Sequence, residues 1–166
     1  MTLLVNVLLV DDEPELVAVL TQRLSRRNFS VTSAPDGEGA LSYLSADHAI
    51  DVVILDLKMP GIDGIETLKR IRTKLPLVEV IMLTGHSTLD SAVESIRLGA
   101  IDYLLKPVEM EKLVSKIEEA AHKKRYRDGL IREVRTTPYL TQRERDERIA
   151  RILAGSGLFT ISKEKP

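Results

Sequence analysis

Residues 51–56 read Asp-Val-Val-Ile-Leu-Asp, an unbroken aliphatic run closed by an aspartate at each end. Apolar residues without alternation suit a strand covered on both faces, as in a parallel sheet. Outward from it lie further runs of short, mostly apolar and branched residues, at Val5–Val10, Ser30–Ala34, Glu79–Leu83 and Ile101–Leu105. Helical patterns fill the intervals between them. Pro14 stands where a first helical turn begins, and Leu16, Leu20 and Leu24 recur at helical spacing. Asp36 caps a segment holding Ala40, Leu41 and Leu44. Asp63 and Glu66 make a D-x-x-E start before Ile65, Leu68 and Ile71. Ser87 and Asp90 repeat that pattern before Ala92, Val93 and Ile96, with Gly99 as the stop. After Pro107 comes a helix carrying Leu113, Val114, Ile117 and Ala121. Strict alternation of five strands with helices predicts an α/β fold, a doubly wound five-stranded parallel sheet.

The composition agrees. The chain has 166 residues, 43% of them hydrophobic and 30% charged, so it forms a core rather than a disordered coil. Aromatics are 4%, which leaves the core to Leu, Ile, Val and Ala. No cysteine is present, which excludes disulfides, thiolate metal sites and cysteine nucleophiles. A reducing cytoplasmic setting is expected. No apolar run reaches the ~18 residues of a membrane span. Leu3 to Val10 has no basic flank and runs into acids, so it is not read as a signal peptide.

Charge divides the chain. Residues 1–120 hold 12 Lys and Arg against 19 Asp and Glu, whereas residues 121–166 hold 12 against 6. The acidic body, residues 1–121, is therefore separated from a basic helical tail, residues 122–166. The fifth helix is expected to continue to about Arg135, where Thr136-Thr137-Pro138 breaks it. Thr141 and Glu144 then cap a short helix over 141–154, with Ile149, Ile152 and Leu153 on one face and Gly155 as its stop. Glu144/Arg148 and Glu147/Arg151 are expected i,i+4 pairs. The tail suits docking or dimerisation better than DNA binding, because its acids alternate with its bases.

In such a sheet, ligands bind at the carboxyl ends of the strands. Those ends carry Asp11-Asp12-Glu13, Asp56, Thr84 and Lys106. Carboxylates crowded together repel one another, and a hard divalent cation resolves the conflict. A lysine adds a point charge suited to phosphate, and a hydroxyl can donate to a phosphoryl oxygen. An aspartate can itself be the nucleophile and form an acyl phosphate. Each residue alone has an ordinary reading, as a helix N-terminus, a turn or a solvated lysine; their coincidence at separate strand ends points to phosphoryl transfer.

The chain resembles the response-regulator receiver domains of two-component signalling over about residues 4–121. The resemblance rests on Val10-Asp11-Asp12-Glu13, Asp56-Leu57-Lys58-Met59-Pro60-Gly61-Ile62-Asp63-Gly64, Leu83-Thr84-Gly85 and Tyr103-Leu104-Leu105-Lys106-Pro107. It implies a flavodoxin-like (βα)5 fold with a helical C-terminal extension. It implies that Asp56 is phosphorylated by a histidine kinase or a small phosphodonor. Mg²⁺ would be held by Asp11, Asp12, Asp56 and the backbone carbonyl of Lys58. Thr84 and Lys106 would bind phosphoryl oxygens, and Tyr103 would swing inward as Thr84 moves. Gly85 would leave room beside the phosphate, and Lys106-Pro107 would be cis. The output would be a changed contact with a downstream protein or self-association, without DNA or membrane binding by this chain alone.

His86 and Lys58 are candidates for tuning water access to the phosphate, while His48 is expected at the surface and Tyr43 in packing. A transcription regulator, either with a minimal DNA-binding tail or as the amino-terminal part of a longer chain, is the competing reading; no G-x-x-x-x-G-K-[ST] loop occurs. An aspartate-nucleophile phosphatase is disfavoured, since Lys58 stands where a second aspartate is required. The chain is thus expected to be a phosphoacceptor rather than an enzyme.

Overall fold

A computed structural model describes residues 3–46 and 49–155, which leaves His48 outside the described residues. Strands β1 (Val5–Val10), β2 (Phe29–Ala34), β3 (Val52–Leu55), β4 (Glu79–Thr84) and β5 (Asp102–Leu105) form one sheet in the order β2-β1-β3-β4-β5. Every neighbouring pair is parallel. The order reverses between β1 and β3, so a crevice opens at their carboxyl ends. Val52, Val53, Ile54 and Leu55 are essentially inaccessible, as their unbroken apolar character requires. Alternate residues feed two cores. Val7, Leu9, Ile54 and Ile81 pack on one face with Leu24, Leu113 and Ile117. Leu8, Val10, Val53 and Met82 pack on the other with Leu44, Leu68 and Ile71.

The helices are α1 (Pro14–Ser25), α2 (Gly37–Ser45), α3 (Gly64–Lys74), α4 (Leu89–Arg97), α5 (Met110–Thr136) and α6 (Gln142–Leu153). The expected caps form at α2, where Asp36 Oδ1 accepts from Gly39 N at 2.7 Å, and at α3, where Asp63 Oδ1 accepts from Glu66 N at 2.8 Å. At α4 the expectation is corrected by one residue. Thr88, not Ser87, is the cap, and Ser91 rather than Asp90 reaches back to the Thr88 amide. Two hydroxyls do here what a hydroxyl and an acid were expected to do.

The fifth helix runs unbroken from Met110 to Thr136, so residue 121 lies in mid-helix. Its core-facing positions Met110, Leu113, Ile117 and Ala121 continue to Arg127 and Ile131, both buried. Arg127 Nη2 lies 2.9 Å from Glu79 Oε1 and donates to the carbonyl of Pro76. Arg125 Nη2 donates to Asp51 Oδ2 at 2.8 Å and to the Leu4 carbonyl at 2.7 Å. Asp51 and Glu79 sit at the amino ends of β3 and β4, opposite the crevice. The basic segment therefore closes the acidic floor of the sheet.

Helix α6 starts at the expected Thr141–Glu144 capping box and ends near Gly155, whose φ is +72°. Glu147 pairs with Arg143 where Arg151 was expected. Glu144 turns its carboxylate to Thr141, which holds its pKa below the ordinary range, and the expected partner Arg148 adds a smaller attraction.

Candidate functional site

The carboxyl ends of β1, β3, β4 and β5 deliver polar side chains to the crevice. Asp11 follows β1 and is 4% exposed; Asp56 follows β3 and is 3% exposed. Asp12 is exposed beside them, and one carboxylate oxygen from each of the three aspartates lies within 4.8 Å of the others. Asp11 Oδ1 accepts from the Glu13 amide at 2.9 Å, so the first turn after β1 orients it. Asp56 Oδ1 accepts from the Leu57 amide at 2.9 Å.

Glycine 64 fixes the loop beyond Asp56. Its amide donates to the Leu57 carbonyl at 2.7 Å, and a Cβ there would lie 2.3 Å from the Asp56 carbonyl oxygen. Only a residue without a side chain lets α3 start this close to the Asp56 backbone. Lys58 is exposed next to the cluster, two residues after Asp56.

Lys106 closes the site from β5. Its Nζ lies 2.6 Å from Asp11 Oδ2, 3.1 Å from Glu13 Oε1 and 3.7 Å from Asp56 Oδ1. Burial works against its charge, but these carboxylates outweigh it and lift its pKa above the ordinary lysine value. Its peptide bond to Pro107 is cis, as the resemblance implied. For Asp56, burial is the largest influence and raises the pKa; Lys106 opposes this, Asp11 adds to it, and the Leu57 amide and Thr84 hydroxyl oppose it.

Thr84 ends β4 fully buried, and its hydroxyl oxygen accepts from the His86 amide at 3.1 Å. Gly85 leaves open space, since a Cβ there would find only Lys106 Cδ, at 4.0 Å. Tyr103 is half-buried on β5 with its hydroxyl 3.0 Å from Ser91 Oγ. The structure thus gathers Asp11, Asp12, Asp56, Thr84 and Lys106, and sets Tyr103 one layer outward against α4. Sequence reasoning gave no role to Glu13 as a Lys106 partner or to Ser91 as the Tyr103 partner. Glu13 stands within the acidic triplet and was legible as charge; Ser91 carried only a helix-start pattern.

The residues fit a hard divalent cation. Two buried carboxylates and one exposed carboxylate converge with a single ammonium among them, an excess of negative charge suited to oxygen-seeking Mg²⁺.

Comparison with known proteins agrees with fold and site. The family model of the response regulator receiver domain matches residues 7–118. The transcriptional regulatory protein ZraR of Klebsiella oxytoca is 38% identical over 116 residues, covering 70% of this chain and 26% of that protein. The nitrogen assimilation regulatory protein NtrX of Azorhizobium caulinodans is 35% identical over 139 residues, covering 82% of this chain and 30% of that protein. A receiver domain crystal structure from Clostridium thermocellum superimposes with a TM-score of 0.71 at 34% identity, covering 74% of this chain and 98% of that one. The chain belongs to the response regulator receiver domain family. It is a phosphoacceptor domain of two-component signalling, and it spans about a quarter to a third of the curated relatives it matches.

Proposed function

We propose that Asp56 is the phosphoacceptor and that its phosphorylation shifts the domain between two conformations that differ in their protein contacts. The observation that carries this reading is a buried Asp56 carboxylate with Lys106 Nζ at 3.7 Å and two further aspartates beside it. An Asp56 carboxylate oxygen attacks the phosphorus of a kinase phosphohistidine or of a small acyl phosphate. A P–O bond forms as the donor's P–N or P–O bond breaks, and the electron pair leaves with the donor. Asp11, Asp12, Asp56 and the Lys58 carbonyl would hold Mg²⁺, which would supply charge neutralisation for the transferring group. Lys106 and the Thr84 hydroxyl take phosphoryl oxygens. As Thr84 turns inward, Tyr103 leaves Ser91 and follows it. His86 and Lys58, at the mouth, govern how water reaches the aspartyl phosphate; unchanged dephosphorylation in His86→Ala and Lys58→Ala removes that role.

The chain acts as a signalling acceptor rather than a turnover enzyme, in the cytoplasm, where a histidine kinase makes its phosphohistidine from ATP. Among the described residues no helix is long and apolar enough to cross a membrane. Residues 1–121 are assigned to the receiving unit and residues 122–166 to a basic extension, of which the end of α5 and α6 carry the response. The effector is a protein partner or a second copy. The named relatives are transcriptional or nitrogen assimilation regulators, which favours a transcriptional output reached through further protein.

Intact mass after incubation with acetyl phosphate and Mg²⁺ tests this reading. A single phosphoryl gain, absent in Asp56→Asn, is expected. No gain from acetyl phosphate or from a histidine kinase overturns it.

A further inference from the structure

At the foot of the molecule, a groove of about 380 Å3 opens between the 74–78 turn, α5 and α6. Leu77, Ile149 and Leu153 line it. All three are half-buried, and none belongs to either of the two cores that flank the sheet. Helix α6 has no fully buried residue at all. Its apolar face therefore keeps uncovered area along this groove. The volume falls in the range of built binding sites, about 300–1,000 Å3.

An occupant lies next to it in the chain. Helix α6 ends on a groove residue, Leu153. Gly155 follows with φ +72° and donates its amide to the Ile152 carbonyl at 3.2 Å. A left-handed glycine at this position turns the chain back, and an apolar residue beyond it frequently packs on the last turns of the helix. The sequence then reads Ser156-Gly157-Leu158-Phe159-Thr160-Ile161-Ser162. From Gly155 to Leu158 the chain reaches at most ~10 Å. Ile149 and Leu153 are only ~6 Å apart along the helix axis. A reversed chain therefore carries Leu158, Phe159 and Ile161 back alongside both. Residues 156–162 bear no charge, so they meet no repulsion from Lys74, Arg132 and Arg135, which also border the groove.

We propose that residues 158–161 of this same chain fold back along α6 and fill the groove, with Phe159 as the anchor against Leu77, Ile149 and Leu153. An aromatic ring buries about 150–250 Å2, the largest apolar gain the segment offers. The docked segment clamps α6 between itself and α5. The groove borders the turn that leads into β4, at the amino ends of the strands. The docking is thus independent of the Asp56 chemistry and stands or falls separately from the phosphoacceptor reading.

Fluorine NMR of the full chain tests it. The chain has two phenylalanines, Phe29 in the core and Phe159, so labelling with 4-fluorophenylalanine gives two resonances, assigned by Phe159→Leu. The Phe159 resonance is expected to lie away from that of free 4-fluorophenylalanine. It is expected to stay there on dilution from roughly 1 mM to 10 μM, a range over which copies held by contacts of modest affinity come apart. In Leu77→Asp/Ile149→Asp it is expected to move to the free position while the Phe29 resonance, the marker of an intact fold, stays in place. Leu158→Asp/Ile161→Asp alters no residue of the groove and is expected to release Phe159 in the same way. A wild-type Phe159 resonance at the free position leaves the groove to an outside partner, and one that reaches it on dilution assigns the groove to a second copy; either overturns the proposal. So does a Phe159 resonance that Leu158→Asp/Ile161→Asp leaves unmoved.

Discussion

Ser91 Oγ lies 3.0 Å from the Tyr103 hydroxyl, and the same oxygen accepts the Thr88 amide that opens α4. One side chain therefore ties the β5 aromatic to the N-cap of the neighbouring helix. A lost cap of this kind costs about 0.5–2 kcal/mol. In Ser91→Ala, amide hydrogen exchange over the first turn of α4 is expected to quicken by roughly 2- to 30-fold, which is that range converted at 1.4 kcal/mol per tenfold. In Tyr103→Phe, which leaves the Thr88–Ser91 box intact, the increase is expected to be smaller. Equal exchange in wild type and Ser91→Ala would show that the cap does not hold α4.

Asp56 bears on stability through its protonation. Burial raises its pKa in the folded state, so the folded chain binds a proton there more readily than the unfolded chain does. Above the folded pKa the ionised group opposes folding; below the unfolded value the opposition is gone. Asp56→Asn is therefore expected to raise the thermal midpoint at neutral pH by about 2–4 °C, the response of a chain of this size to ~1 kcal/mol. The gain shrinks as the pH falls through the folded pKa toward the ordinary aspartate value. A variant less stable than wild type at neutral pH contradicts this.

Lys106 has two opposed effects that a single variant separates. Its ammonium, 2.6 Å from Asp11 and 3.7 Å from Asp56, competes with a cation for the same carboxylates. Lys106→Met is expected to bind Mg²⁺ about five-fold tighter, the ~1 kcal/mol that a unit charge at 4 Å carries in water. The same variant is expected to take up phosphoryl groups more slowly, having lost a ligand for the phosphoryl oxygens. Calorimetric Mg²⁺ titration and intact-mass time courses read the two effects apart. Weaker Mg²⁺ binding in the variant refutes the competition.

Much of this was legible in the sequence, for identifiable reasons. Strand β3 announces itself because a strand buried on both faces must be apolar at every position, and Val52–Leu55 is. Asp56 and Lys106 were legible because chemistry in a doubly wound sheet gathers at strand ends. Two things were hidden. The start of α4 was shifted because Ser and Thr pair as a box as well as Ser and an acid do, and the pattern Ser87-Thr88-Leu89-Asp90-Ser91 allows both. The floor of the sheet was hidden because Asp51 and Glu79 look like ordinary strand-edge acids. Their partners, Arg125 and Arg127, lie some 50 to 70 residues away in sequence, in a segment whose charge suggested a separate tail. Arg127 stands at a core-facing position of α5 where the apolar rhythm calls for a leucine.

That position gives the last prediction. Arg127 and Glu79 are 3% and 1% exposed, with Arg127 Nη2 and Glu79 Oε1 2.9 Å apart. Both Glu79 oxygens and Arg127 Nε are buried without an aligned hydrogen bond. Attraction between the charges offsets their desolvation, but hydrogen bonding does not complete the compensation. Removing one partner leaves the other charge buried and unpaired, which costs about 3–5 kcal/mol. Arg127→Leu is therefore expected to lower the urea midpoint sharply, although its change lies beyond the family's matched residues. Replacing both, as Glu79→Leu/Arg127→Leu, removes both desolvation terms and is expected to restore most of the loss. A double variant no more stable than Arg127→Leu would show that the arginine acts chiefly through the Pro76 and Leu77 carbonyls it also reaches.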